Sequence, residues 1–286
     1  MPVTRRSANQ ARAGFTLVEL LLAMIIFVVT ASLIYASMQL MEKVQRTASE
    51  KAGSQLTLRS GSQTVAAELR EVNNVAGIGT SDLVAITASS VTYWAMRNSG
   101  MACRVDNNEV RVRLGPTYSG YRLPDMPRDS LLVFADRDTT SVADDQWVQL
   151  PILGSVSAST CPDGAAALAL GTAGLLVADY HVPAPVRTFE LMQLAITSSG
   201  GRQYLGAQSV SGFGAMEPVI GPLTSGGLQF IYLDQAGNPT TVPSAVRTID
   251  LTVRSETSRP LTTLGGGVGA LVSDSLALRI LLRNAR

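Results

Sequence analysis

Residues 12–41 read RAGFTLVELLLAMIIFVVTASLIYASMQLM. From Phe15 to Tyr35 the run is almost wholly apolar. At about 1.5 Å per residue it is long enough to cross a ~30 Å hydrocarbon layer as a helix. Ahead of it, residues 1–14 (MPVTRRSANQARAG) are polar and basic, with Arg5, Arg6 and Arg12 and no acid. Arginines in such a position are retained in the cytoplasm, so the sequence places the bulk of the chain on the far side of the membrane.

Two simple readings compete for this segment. A secretory signal peptide would be cut after the apolar run at small residues, near Ala36-Ser37. A plain single-span anchor would not be cut. Neither accounts for Glu19, the only charged residue between Arg12 and Glu42. A carboxylate inside a span costs roughly 2.5–3.5 kcal/mol on insertion scales and is normally paired.

The order Gly14-Phe15-Thr16-Leu17-Val18-Glu19-Leu20 resembles the processing motif of type IV prepilins. The resemblance is sharp over residues 12–40 and implies an α+β fold, a long N-terminal hydrophobic helix packed on a mainly antiparallel β domain. It implies cleavage after Gly14 by a prepilin peptidase, N-methylation of the new terminal residue Phe15, and pairing of Glu19 with the terminal amine of a neighbouring subunit. The implied partners are the peptidase and methyltransferase, other pilin or pseudopilin subunits, and the inner membrane, with the domain periplasmic before it joins a filament. A small residue before the scissile bond lets a protease approach the backbone. A carboxylate in lipid that finds its counter-charge only on a neighbour favours assembly. Major pilins often carry a helix-kinking proline within this helix; this span has none.

Working outward, residues 1–14 read as the leader, 15–41 as the membrane and filament-core helix, 42–76 as its amphipathic continuation and 77–286 as an extracytoplasmic β-rich domain. Val44, Ala48, Ala52, Leu56, Val65, Leu69 and Val72 recur near a helical period. Gly53, Gly61 and several Ser and Thr residues weaken the segment and open the option of a break over 53–62. Asn73-Asn74, Gly77 and Gly79 read as the helix stop. Beyond Asp82 the pattern turns to strands: 83–87, 91–96, 109–114, 131–135, 147–153, 175–182, 187–197, 228–233, 246–254 and 276–282. Gly164–Leu176, rich in alanine, reads as room for a helical turn. No alternating strand–helix repeat argues for a parallel sheet. The unit Gly227–Asp234, turn Gln235–Pro239 and strand Ile249–Val253 resembles the C-terminal sheet of the J-type minor pseudopilins of type II secretion and of the W-type minor pilins. That resemblance implies a low-abundance tip or initiation subunit; the alternative within the class is a pilus-tip adhesin or DNA-binding minor pilin.

The chemical inventory is sparse. With 23 basic and 22 acidic residues, the chain offers no electrostatic reason to bind nucleic acid. Arg111, Arg113 and Arg122 could form at most a small basic patch. Two cysteines and one histidine exclude most zinc sites. No Gly-x-Ser-x-Gly elbow accompanies His181, and Gly265–Gly269 lacks the Lys-Ser/Thr of a P-loop. No catalytic role and no cofactor is expected. Cys103 and Cys161 are either two separate buried thiols or a disulfide. Oxidation outside the cytoplasm favours the disulfide, worth about 4 kcal/mol for a loop of this length. Asp136, Asp138, Asp144 and Asp145 crowd one polar stretch. Clustered carboxylates suit a calcium ion, but the spacing is that of a solvated turn, so no metal is assigned to them.

Overall fold

A computed structural model describes residues 16–73, 81–120, 122–175, 177–261 and 269–283. One helix, α1 (Leu17–Arg70), leads into β1 (Leu83–Thr87), β2 (Ser90–Asp106), β3 (Glu109–Arg113), β4 (Ser119–Gly120), β5 (Asp129–Ala135), β6 (Gln146–Pro151), β7 (Ser157–Thr160), β8 (Ala166–Gly171), β9 (Ala184–Ser199), β10 (Arg202–Ser209), β11 (Glu217–Leu233), β12 (Thr248–Glu256) and β13 (Ser273–Leu281). The strands form one antiparallel sheet in the order β13-β12-β11-β10-β9-β2-β3-β8-β7, with β1 and β4 on β2 and the β5–β6 hairpin on β9. The fold is the expected α+β arrangement. The hairpin read at residues 227–253 is present as β11 against β12, with Leu228 opposite Val253 and Tyr232 opposite Ile249.

α1 runs unbroken for 54 residues, about 80 Å at the usual rise. The break allowed for over 53–62 does not occur. Leu58, Ser62, Val65, Ala66 and Leu69 are buried at helical spacing on the sheet, and this packing overrides weak propensity. The hydroxyls of Thr57, Ser60 and Thr64 fold back to the carbonyls of Gly53, Leu56 and Ser60. Val44, Ala48, Ala52 and Leu56, read as part of the packed face, are exposed. The first three lie before the point where the helix meets the sheet, at Ser54 and Gln55, which bond Ser255 and Asp274, and Leu56 points away from the sheet just beyond it.

The two helix glycines are not equivalent. A Cβ on Gly61 would fall 2.4 Å from Cγ1 of Ile220, itself fully buried, whereas one on Gly53 would meet nothing within 4 Å. Gly53→Ala is therefore expected to stabilise the protein by roughly 0.5–1 kcal/mol. Gly61→Ala is expected to destabilise it by about 1–3 kcal/mol through overpacking. Thermal unfolding of the detergent-solubilised protein checks both signs.

The helix ends at Arg70, three residues before the expected stop at Asn73; Asn74, Gly77 and Gly79 lie outside the described residues. Asn73 is drawn from the helix by a two-way contact with Asp82, whose carboxylate accepts from Asn73 N at 2.8 Å and whose N–H donates to Asn73 O at 3.0 Å. Arg283 N–H then donates to the Arg70 carbonyl, so the end of the last strand closes the helix terminus. Burial pushes the Asp82 carboxyl up to about 6, against the lowering pull of the Asn73 N–H and Arg187. A raised folded-state pKa means that the native state binds the proton more tightly than the unfolded chain. Stability from this group therefore rises as pH falls from about 6 towards the ordinary carboxylate range. Asp82→Asn, which keeps an acceptor for Asn73, is expected to be more stable than wild type at pH 7 by on the order of 1–2 kcal/mol. Denaturant midpoints measured from pH 7 to pH 4 should show that gap closing.

Two apolar cores lie along the sheet. The first joins α1 to β1, the start of β2, and β10 to β13, around Leu69, Val91, Tyr93, Leu205, Ile220, Ile249 and Ile280. The second lies farther along β2 and β9 and is closed by β3, β5, β6 and β8, around Val110, Leu131, Val133 and Leu170. β2 and β9 thread both and pair from Ser90–Ala195 to Ala102–Ala184. The sequence reading saw only fragments of these strands. Two further expectations are corrected. Ala166–Gly171 is a strand, not a helical turn; its Ala167–Leu170 are buried on both faces between β3 and β7. The strand expected over 175–182 is not found among the described residues 175 and 177–182, which hold a short 3-10 turn at Val177–Asp179 and leave His181 exposed outside the sheet. Cys103 of β2 and Cys161, just after β7, form a disulfide with Cα atoms 5.7 Å apart. It fastens the β7–β8 edge to the strand common to both cores.

Candidate functional site

Gly14 and Phe15 lie outside the described residues; the site is seen from Thr16 onward. Thr16 is the N-cap of α1. Its hydroxyl accepts from Glu19 N at 3.3 Å, and Glu19 Oε2 accepts from both Thr16 N and Thr16 Oγ1 at 3.0 Å. This reciprocal box satisfies donors that a helix start otherwise leaves orphaned. Among the described residues Thr16 is the only hydrogen-bond partner of the Glu19 side chain, and no cation pairs with it.

The helix around Glu19 is bare. Leu17, Val18 and Phe27 are each more than 70% exposed, and every large apolar side chain from Leu17 to Met41 is about half exposed or more. Among the described residues this is the helix long and apolar enough to cross a membrane. Such a surface is incompatible with water at this length and requires lipid or other helices around it. The exposed apolar face extends past the span through Val44, Ala48 and Ala52 to the point where α1 joins the sheet, with Leu56 exposed just beyond it.

A second polar constellation sits between the two cores and was not foreseen. At the register shift between Met96 and Asn98, Arg97 is the extra residue of a β-bulge on β2. Arg97 keeps the inward phase of Val91, Tyr93 and Ala95, with its side chain 6% exposed, and the bulge shifts the alternation after it, so that Asn98 is buried as well. Arg97 Nε donates to Glu190 Oε2 of β9 at 2.7 Å and its Nη1 to Glu68 Oε1 of α1 at 3.1 Å. Tyr93 Oη also donates to Glu68. Arg122 grips Asp129 with both terminal nitrogens and reaches Glu190 at 3.2 Å; Arg128 Nε lies 3.5 Å from Glu190 Oε1. Three carboxylates and three guanidinium groups thus balance in one cluster, buried at Arg97, Asp129 and Glu190 and open to solvent at Glu68 and Arg128, that ties helix, first core and second core together. Burial works to raise the Glu190 carboxyl, but hydrogen bonds from Ser209, Arg97 and Arg122, with the Arg97 charge, carry it below its ordinary value. The sequence held one faint signal: an arginine inside the apolar run VTYWAMR.

The remaining candidates lie apart from both constellations, save Arg122. Arg111 donates to Glu109, Arg113 to Asp163 and Arg122 to Asp129, so the three arginines form neutralised pairs rather than a basic patch. Asp138 closes a turn by accepting from Thr140 N and Oγ1 in the β5–β6 loop. Among the described residues, no group of three or more His, Cys, Asp or Glu side chains is placed to hold a metal ion.

The family described as the prokaryotic N-terminal methylation motif matches residues 9–35. No curated protein and no solved structure matches the chain. The chain therefore carries the N-methylation motif of type IV prepilin-like proteins on a long apolar helix. The motif supports membrane anchoring, processing by a prepilin peptidase and assembly with other pilins. Proteins of this class are typically structural rather than catalytic.

Proposed function

We propose, from the methylation motif that the chain carries, that the protein is a structural subunit of a type IV pilus or type II secretion-type filament, of the minor pilin or pseudopilin kind. The chain is cut between Gly14 and Phe15, and Phe15 is N-methylated. The stretch up to Met41 first holds it in the inner membrane with the β domain periplasmic, then packs among neighbouring helices in the filament core. Glu19 pairs with the terminal amine of an adjacent subunit. The observation that carries this reading is Glu19 itself: a lone carboxylate on a bare apolar helix, inside the matched motif, whose side chain among the described residues is held by Thr16 alone. The exposed stripe from Val44 to Leu56 supports it, since it continues the apolar surface beyond the hydrocarbon layer where only protein can cover it. The hairpin of β11 and β12 supports a minor subunit of the J or W type placed at or near the tip.

A clean deletion strain, assayed together for sheared surface pili and for secreted enzymes, tests the proposal. Loss of pili with normal secretion assigns the protein to a pilus. Loss of secretion with normal pili makes it a pseudopilin. Full retention of both, in cells that express the wild-type protein, contradicts it.

A further inference from the structure

We infer that Phe213 and the apolar strip beside it are a docking surface for another subunit of the same filament, which receives the Phe213 ring in an apolar recess. This rests on the filament reading above and adds to it a contact made by the β domain rather than by the helix.

Phe213 is 84% exposed and has φ of 52°, the one positive value among the described non-glycine residues. The left-handed region penalises a bulky L-residue, and glycine flanks it on both sides as Gly212 and Gly214. Within its own chain the ring gains nothing in return for that conformation, the usual mark of a residue kept for another purpose. The loop is nonetheless held tightly. Val210 N–H donates to Leu191 O, Phe213 N–H to Val210 O, and Gly214 N–H to Ser209 O. Gln208 Nε2 donates to Gly214 O, Ser211 Oγ donates to Arg128 O, and Leu191 N–H donates to Ser211 Oγ. The backbone that carries the ring is therefore held in one place, and docking orders little beyond the Phe213 side chain itself.

Its surroundings have the composition of a protein interface. The Arg128 side chain lies against Gly212. Met126 follows two residues away, and its sulfur accepts from Gly154 N–H at 3.2 Å, which brings Leu153 beside it. Met126, Leu153 and Leu123 are 45%, 46% and 59% exposed. Aromatic, Met and Arg side chains are the types enriched at interface centres.

Height decides the occupant. The loop bonds to Leu191, next to Glu190, which Arg97 links to Glu68. Glu68 lies about 40 Å along the helix beyond Met41, at the usual rise per residue. Lipid headgroups do not reach that level. A neighbour anchored by a similar helix in the same membrane holds its own domain at this height, and such confinement raises effective concentration enough for one aromatic anchor to count.

The test places a photo-crosslinking benzoyl-phenylalanine at position 213 of the full-length chain in its own cells. The expected adduct joins the protein to another protein that carries an N-terminal methylation motif. An adduct only with lipid or with proteins lacking that motif, or no adduct, overturns the inference. Phe213→Gly supplies the control. Its thermal midpoint in detergent should equal or exceed that of wild type while filament incorporation falls at least about tenfold. A midpoint lowered as for a core aromatic, or unchanged incorporation, assigns the ring a local role and overturns the inference. If Phe213→Gly assembles normally and Glu19→Ala does not, only this contact fails; normal assembly of Glu19→Ala removes the filament reading itself.

Discussion

Glu19→Ala protein is expected to be cleaved and to accumulate in the membrane, yet to enter filaments on the order of 100-fold less than wild type. An unpaired carboxylate within a span costs roughly 2.5–3.5 kcal/mol, and each 1.36 kcal/mol is a factor of ten. Assembly that supplies a counter-charge recovers that cost, and alanine removes the incentive. Alanine also removes the box with Thr16, worth about 0.5–2 kcal/mol to a helix start. Glu19→Gln separates the two effects: glutamine serves a capping box as well as glutamate does, but carries no charge. If charge pairing drives assembly, Glu19→Gln fails like Glu19→Ala. If local capping matters more, it assembles like wild type. Immunoblots of sheared filaments against membrane fractions read the ratio.

The second large effect is expected far from the membrane. Arg97→Ala leaves Glu190, 5% exposed, and Glu68 without the guanidinium that joins them. Removing one partner of a buried ion pair costs about 3–5 kcal/mol, because the other charge stays buried. That is a large share of the total stability of a domain. Arg97→Lys is expected to recover only part of it, since an ammonium lacks the fork that reaches Glu190 and Glu68 together. The lowered Glu190 pKa fixes the pH dependence. A depressed folded-state value gives stability that is present above the ordinary carboxylate range and lost as pH falls through the folded value. Wild type should lose this contribution in acid, opposite in sign to Asp82, whereas Arg97→Ala keeps only the part that Ser209 and Arg122 supply and so shows a weaker loss. Chemical denaturation at neutral and acid pH measures both.

What the sequence made legible follows from where single residues decide structure. The N-terminal motif could be read because Glu19 is conspicuous in an apolar run. β3, β5 and β12 could be read because their in–out alternation is regular. β2 was seen only in part, because Arg97, Asn98 and Ser99 interrupt its pattern. Arg97 and Asn98 are buried polar residues satisfied by partners distant in sequence, Glu190 and Thr188. β8 was misread because Ala167–Leu170 are buried on both faces, so an interior strand shows no period. Gly61 looked like a weak point, yet it is where Ile220 enters the helix surface. In the candidate patch, Arg111 pairs with Glu109 two residues away on the same strand, a local alternation, whereas the Asp163 that pairs with Arg113 is brought to it by the fold from 50 residues away.

The account turns on processing, and the N-terminus of the mature protein tests it most directly. Mass spectrometry of the protein, purified from membranes of cells with an active prepilin peptidase, should find a chain that begins at Phe15 and carries one added methyl group on its terminal amine. A chain that still carries residues 1–14 would contradict the account at its centre.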